Sequence, residues 1–245
     1  MTATTHSAPG AGLSTHSRTD RYQADPRRPE LRAALGDMFK RAWLPGLAWL
    51  VVMTLGGFLL MGPLRSFADG EDAVNRAVQE GRSPIQDDIW HYVSLIGNTE
   101  VVIAATVVAA LLVWWRTRQW WVAVIAPLAL SMQALFMVIA NAVVARPRPD
   151  VARLDDPAPP TSSYPSGHVG APTTLYITLL VLAQRITHPT LRWAATIGCA
   201  AIPMLVMYAR VYRGMHHVTD VVVGLLNGLV CVYLAWHFLR RDPRR

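Results

Sequence analysis

Residues 120–145 read WWVAVIAPLALSMQALFMVIANAVVA, a run without a single charge, and the next four residues are Arg146-Pro147-Arg148-Pro149. A helix needs about 20 mostly apolar residues to cross the hydrocarbon of a bilayer. This run is long enough, and the arginines begin where it stops. Five more apolar runs lie around it, at 42–61, 89–115, 168–182, 191–208 and 218–239. The chain therefore reads as all-α, a six-helix transmembrane bundle. Composition agrees: 52% of the 245 residues are hydrophobic and only 16% are charged. A soluble domain carries about a quarter charged residues. Mean hydropathy is +0.26.

The basic residues give an orientation. Arg27, Arg28, Arg32, Lys40 and Arg41 precede the first run, Arg116 and Arg118 separate the second and third, Arg185 and Arg192 separate the fourth and fifth, and Arg240, Arg241, Arg244 and Arg245 follow the sixth. Cytoplasmic connections carry the excess of Lys and Arg, so both termini are expected in the cytoplasm. The segments 63–88, 146–166 and 211–217 then face outward. Trp114, Trp115, Trp120 and Trp121 cluster at one turn, as an interfacial aromatic belt does.

Residues 1–38 are polar and lack the apolar core of a secretory signal, so they are expected to form a flexible cytoplasmic tail. A membrane domain is expected over 39–240 and a basic cytoplasmic tail over 241–245. The net charge of +7 comes from arginines at the ends of apolar runs and does not form a stripe, so nucleic acid is not an expected partner. Cys199 and Cys231 both fall in apolar runs and read as small core residues. No zinc-ligand spacing is present. The carboxylates of 63–88 (Asp69, Glu71, Asp72, Glu80, Asp87 and Asp88) read as the solvated face of an amphipathic helix.

Three polar motifs stand at the ends of the apolar runs. The first contains Arg148. The second is Tyr164-Pro165-Ser166-Gly167-His168. The third is Arg210-Val211-Tyr212-Arg213-Gly214-Met215-His216-His217-Val218-Thr219-Asp220. Arginine forks match phosphate oxygens and stay charged, which suits Arg148 and Arg210. Gly167 lets the backbone approach an anion, and the apolar run after it places helix N–H groups there; Ser166 adds a hydroxyl. His168 is placed to act as a general acid. His216 and Asp220 are four apart and share a helix face. A carboxylate beside an imidazole fixes its tautomer and suits a nucleophilic histidine, although the same spacing also describes an ordinary helix start with an acid in its first turn. His217 points elsewhere and reads as a bystander. Arg146 and Arg213 read as interfacial arginines.

These motifs resemble those of the type 2 phosphatidic acid phosphatase family, membrane lipid phosphatases related to vanadium haloperoxidases. The family pattern is Lys-x6-Arg-Pro, Pro-Ser-Gly-His and Ser-Arg-x5-His-x3-Asp. Arg148-Pro149 matches the first, Pro165-Ser166-Gly167-His168 the second, and Arg210, His216 and Asp220 the third. The resemblance covers roughly residues 40–240. It implies a phosphohistidine at His216 oriented by Asp220, His168 as acid, and a phosphate cradle of Arg148, Ser166, Gly167 and Arg210, with no metal and no cofactor.

Two positions depart from the pattern: Asn141 replaces the lysine and Ala209 the serine. Asn141 can donate a hydrogen bond to a phosphoryl oxygen but brings no charge. Arg146 is expected to compensate in part, and a lysine at 141 to strengthen binding. The function expected is metal-independent hydrolysis of a lipid phosphate or pyrophosphate at the outer face of the plasma membrane. Candidate substrates are polyprenyl pyrophosphate, phosphatidic acid and related glycerolipids. The partners are that substrate and membrane lipids. The departures at 141 and 209 motivate the alternative, a non-catalytic lipid-phosphate binder or transporter.

Overall fold

A computed structural model describes residues 29–154 and 162–239. The expected tails at 1–28 and 241–245 lie outside these residues. The described chain is all-helical. Helix α1 spans Leu31–Met61, with one π-helical turn at Phe39–Trp43. It is followed by α2 (Arg65–Gln79), α3 (Pro84–Leu95), α4 (Thr99–Thr117), α5 (Trp120–Val144), α6 (Gly167–Ala183), α7 (Pro189–Tyr212) and α8 (Val218–Trp236). Among them α1, α4, α5, α7 and α8 are long and apolar enough to cross a membrane, while α6, with 17 residues, is shorter.

Two boundaries differ from the sequence reading. Residues 31–38, expected in the flexible tail, form the first turns of α1. The run 89–115 is two helices, not one. Ser83 begins α3 with a capping box to Gln86, and Pro84 occupies its first turn. That helix stops at Leu95, and α4 restarts at Thr99 after Asn98. The break falls at Gly97, whose Cα packs on the backbone of His168; a Cβ there would lie 3.3 Å from the His168 carbonyl carbon.

The bundle centres on α5, α6 and α8. Helix α6 packs between α7 and α8, and α5 packs on α8, α6 and α1. Phe136, Met132, Ile125, Tyr164 and Cys231 fill the main core. The α6–α8 contact is close because it is made by small residues. A Cβ on Gly228 would stand 2.6 Å from the Thr173 Cβ and 2.8 Å from the Gly170 carbonyl oxygen. Membrane helices approach in this way where no bulky side chain intervenes. On the opposite side, Leu47, Val51, Leu55 and Phe58 of α1 point outward. An exposed apolar stripe of this kind is a lipid-facing surface in a multi-pass membrane protein.

The three connections expected on one face meet at one end of the bundle. Asn75 of α2 donates to the carbonyls of Val211 (2.9 Å) and His216 (3.1 Å). Gln79 donates to those of Ala152 and Tyr212, both at 2.8 Å. Helix α2 is thus a brace laid over the motif-bearing loops. Its carboxylates are not all solvated, as the sequence suggested: Glu71 and Asn75 are buried.

Candidate active site

The second motif turns into α6 through a loop held from three sides. The Tyr164 hydroxyl reaches α1 and donates to the Met53 carbonyl at 2.6 Å. Ser163 N–H donates to the Arg146 carbonyl at 2.9 Å, and the Ser163 hydroxyl to that of Pro147 at 2.8 Å. Ser166 N–H donates to the backbone carbonyl of Asp220 at 3.0 Å. Ser166 caps α6 from an extended conformation and is fully buried. Helix α6 then begins at Gly167, so its first N–H groups open where the motif ends.

The third motif is the turn from α7 into α8. Gly214 takes φ +67° there, a conformation that favours glycine. Met215 N–H donates back to the Arg210 carbonyl at 3.1 Å. Arg148 donates to the Met215 carbonyl at 2.7 Å, and Arg210 to the Ser94 hydroxyl at 2.8 Å. These bonds hold one edge of each guanidinium.

Six of the eight expected site residues line one cavity of about 480 Å³: Asn141, Arg148, Gly167, His168, Arg210 and His216. The other two, Ser166 and Asp220, are fully buried and joined backbone to backbone beside it. Both histidines therefore face the same hollow as both arginines.

The geometry revises several assignments. Asp220 was expected to orient His216. Instead the His216 Nδ1 lies 2.7 Å from the Ser163 carbonyl oxygen. A carbonyl can only accept, so Nδ1 carries the proton and Nε2 holds a lone pair in the neutral ring. Asp220 directs Oδ2 at the N–H (2.9 Å) and the ring Nδ1 (3.1 Å) of His217, while Oδ1 accepts from Arg146 at 2.6 Å. His217 is no bystander: it is buried at the N-cap of α8, and its Nε2 lies 3.3 Å from Asp72.

Arg146 is not an interfacial arginine, nor a substitute for the missing lysine. It is 3% exposed and bridges Asp220 to Glu71 (2.8 Å), with a third bond to Thr219 at 2.7 Å. Glu71 also accepts from Thr219 N–H at 2.7 Å. The flanking carboxylates hold the Arg146 guanidinium charged against the cost of its burial. Arg213 is likewise buried and donates to the Leu154 carbonyl at 2.8 Å. Asn141 lines the cavity, yet its amide donates to the carbonyls of Ser162 (2.8 Å) and Tyr164 (3.4 Å). It shapes the second motif rather than offering those donors to an anion.

Sequence reading missed Ser163, Glu71 and Thr219. Ser163 acts through its backbone, which no residue type announces. Glu71 stood among exposed acids with nothing to distinguish it.

Electrostatics favours the neutral ring at His216. Burial pushes its pKa well below the ordinary 6.5, and the charges of Arg210 and Arg148 push the same way against the opposing pull of Asp220. A buried, neutral imidazole with its outer nitrogen unprotonated is equipped to attack, and the guanidinium groups can neutralise an anion.

Known proteins resemble this chain in sequence and in fold. The PAP2 superfamily profile matches residues 120–244. Undecaprenyl-diphosphatase of Sulfolobus acidocaldarius is 41% identical over 73 residues, covering 30% of this chain and 32% of that relative. The match therefore spans about a third of that relative's length. The PAP2-type phosphatidylglycerolphosphate phosphatase of Bacillus subtilis has a similar crystal structure, with a TM-score of 0.64 at 21% identity over 80% of this chain and 94% of that one. LpxE of Aquifex aeolicus has a TM-score of 0.51 at 21% identity, over 67% and 93%. The superfamily match begins with α5 and takes in all three motifs, half of the whole sequence, and this multi-pass membrane protein belongs to the PAP2 superfamily.

Proposed function

We propose that the protein hydrolyses a lipid phosphate or pyrophosphate through a phosphohistidine at His216. Nε2 of His216 attacks phosphorus while Arg148, Arg210 and the N–H groups opening at Gly167 take up the charge on the phosphoryl oxygens. His168 gives its proton to the departing oxygen, and the P–O bond to the lipid breaks. Water then attacks the phosphorus, His168 accepts its proton, and the P–N bond breaks, returning His216 and releasing inorganic phosphate. The arginines supply the positive charge, so the reaction requires no metal.

The observation that carries this reading is the Ser163 carbonyl on Nδ1 of His216, which leaves the attacking nitrogen available in the same cavity as His168 and both arginines. The charge pattern of the connections supports a site on the outer face of the plasma membrane, with both termini inside. The names of the relatives support a lipid-linked substrate.

The test is phosphate release by the purified protein in detergent, with chelator present and His216→Ala alongside. Release by the wild type alone is expected. Equal release by both proteins would remove His216 as nucleophile, and binding of lipid phosphates without any turnover would favour the binder or transporter.

A further inference from the structure

The cavity continues inward from the charged residues between α4, α5 and α6. Its inner walls are mostly apolar, as at Ile103, Val107, Leu130 and Met137. Two buried polar side chains interrupt them. Gln133 of α5 is 1% exposed and Thr106 of α4 is 2% exposed. Among the described residues, neither the amide nitrogen nor the amide oxygen of Gln133, nor the hydroxyl of Thr106, has a hydrogen-bond partner. Buried amides are nearly always bonded, because burial without a partner is costly. Leucine and valine would fill the same space without that cost.

The depth of Gln133 is defined by α6. The Gln133 amide rests on Gly170, where a Cβ would lie 2.9 Å from its Cδ. Gly170 is three residues inside Gly167, about 4.5 Å along a helix. The polar step therefore lies one turn beneath the proposed phosphate position.

We infer that Gln133 and Thr106 form a neutral subsite that reads the linkage next to the phosphate, and that it takes an ester carbonyl of a diacylglycerol-type lipid phosphate. This rests on the lipid-phosphate reading of the cavity. A single glycerol unit separates the phosphate from the ester carbonyls of such a lipid, which brings them to this depth. The amide N–H and the threonine hydroxyl then both donate to the carbonyl oxygen. An isoprenyl chain would present hydrocarbon here, which offers the amide no partner. A second phosphoryl group would bring charge to a step that holds no cation.

The experiment compares kcat/KM for dioleoylglycerol phosphate, its dialkyl ether analogue and farnesyl phosphate, for wild type, Gln133→Leu, Thr106→Val and His216→Ala. The ether keeps the glycerol and the chains and deletes the carbonyls. Wild type is expected to favour the ester over the ether by about tenfold, the scale of one or two neutral hydrogen bonds. Each single substitution is expected to lower that ratio several-fold toward one. A wild-type ratio near one overturns the inference without recourse to any variant, as does a ratio that neither substitution moves. If no lipid phosphate is hydrolysed, the proposed function itself fails. If all three are hydrolysed equally and only His216→Ala abolishes release, the function stands and the subsite falls.

Discussion

The carbonyl oxygen of Ser163 and the ring of His216 are locked together at 2.7 Å, fifty-three residues apart in sequence. The loop leading into the second motif thereby sets the tautomer of the nucleophile proposed in the third. Protonation of Nε2 would remove the lone pair without disturbing this bond, so acid should stop the reaction before it opens the loop.

The pH dependence follows from the sign of that ring's shift. Burial and Arg210 lower its pKa below 6.5, so the neutral, nucleophilic form persists into mildly acidic solution. The acidic limb of kcat/KM assigned to this ring is expected below pH 6.5. The same shift makes the unfolded chain take up more protons than the folded one as pH falls through 6.5, so stability declines on that side. A pH–rate profile on a soluble phosphate ester checks the limb. An apparent pKa for this ring at or above 6.5 would contradict the assigned environment.

Arg146 should behave as a stabilising residue rather than a phosphate ligand. Arg146→Met leaves Glu71 and Asp220 buried without their shared cation, a change of about 3–5 kcal/mol. Thermal unfolding in detergent should show a large fall in Tm, partly recovered by adding Glu71→Gln. An unchanged Tm with a raised KM would instead return Arg146 to the cradle.

Asn141 holds two loop carbonyls, and this reverses the outcome expected from sequence. A lysine at 141 was expected to strengthen phosphate binding. Its single ammonium cannot reproduce the planar amide between Ser162 and Tyr164. Asn141→Lys and Asn141→Leu should both lower kcat, by about 5- to 30-fold for the loss of about 1–2 kcal/mol of loop hydrogen bonding. Steady-state kinetics decides. A lysine variant with a lower KM and undiminished kcat would show that the carbonyl contacts matter little.

Gly224 faces the Ser166 side of the site. A Cβ there would lie 3.3 Å from the Ser166 Cβ and closer still to its carbonyl oxygen. Gly224→Ala is expected to cost about 1–3 kcal/mol of stability and to lower turnover at least tenfold by displacing the start of α6. Measuring Tm and kcat together tests this; full activity would show that the helices separate easily.

Much of this was legible in the chain because it depended on local patterns. Uncharged runs such as 120–145 announced helices, and the motif spacing placed Arg148, His168, Arg210 and His216 around one cavity. What was hidden depended on tertiary partners. A continuous apolar run at 89–115 gave no sign that Gly97 must yield to the backbone of His168. An acidic helix face looks alike in sequence whether it meets water or, as at Glu71, a buried guanidinium. The i,i+4 spacing of His216 and Asp220 was real, but the loop turns the first ring toward Ser163 and gives the carboxylate to its neighbour.

The brace formed by α2 has a wider consequence. Its Glu71 grips Arg146 and Thr219, while its Asn75 carries the carbonyls of Val211 and His216. A segment outside the residues that define the superfamily match thus acts as a keystone for the reaction centre. A shortened protein starting at α5 would retain every motif and lose the frame that aligns them.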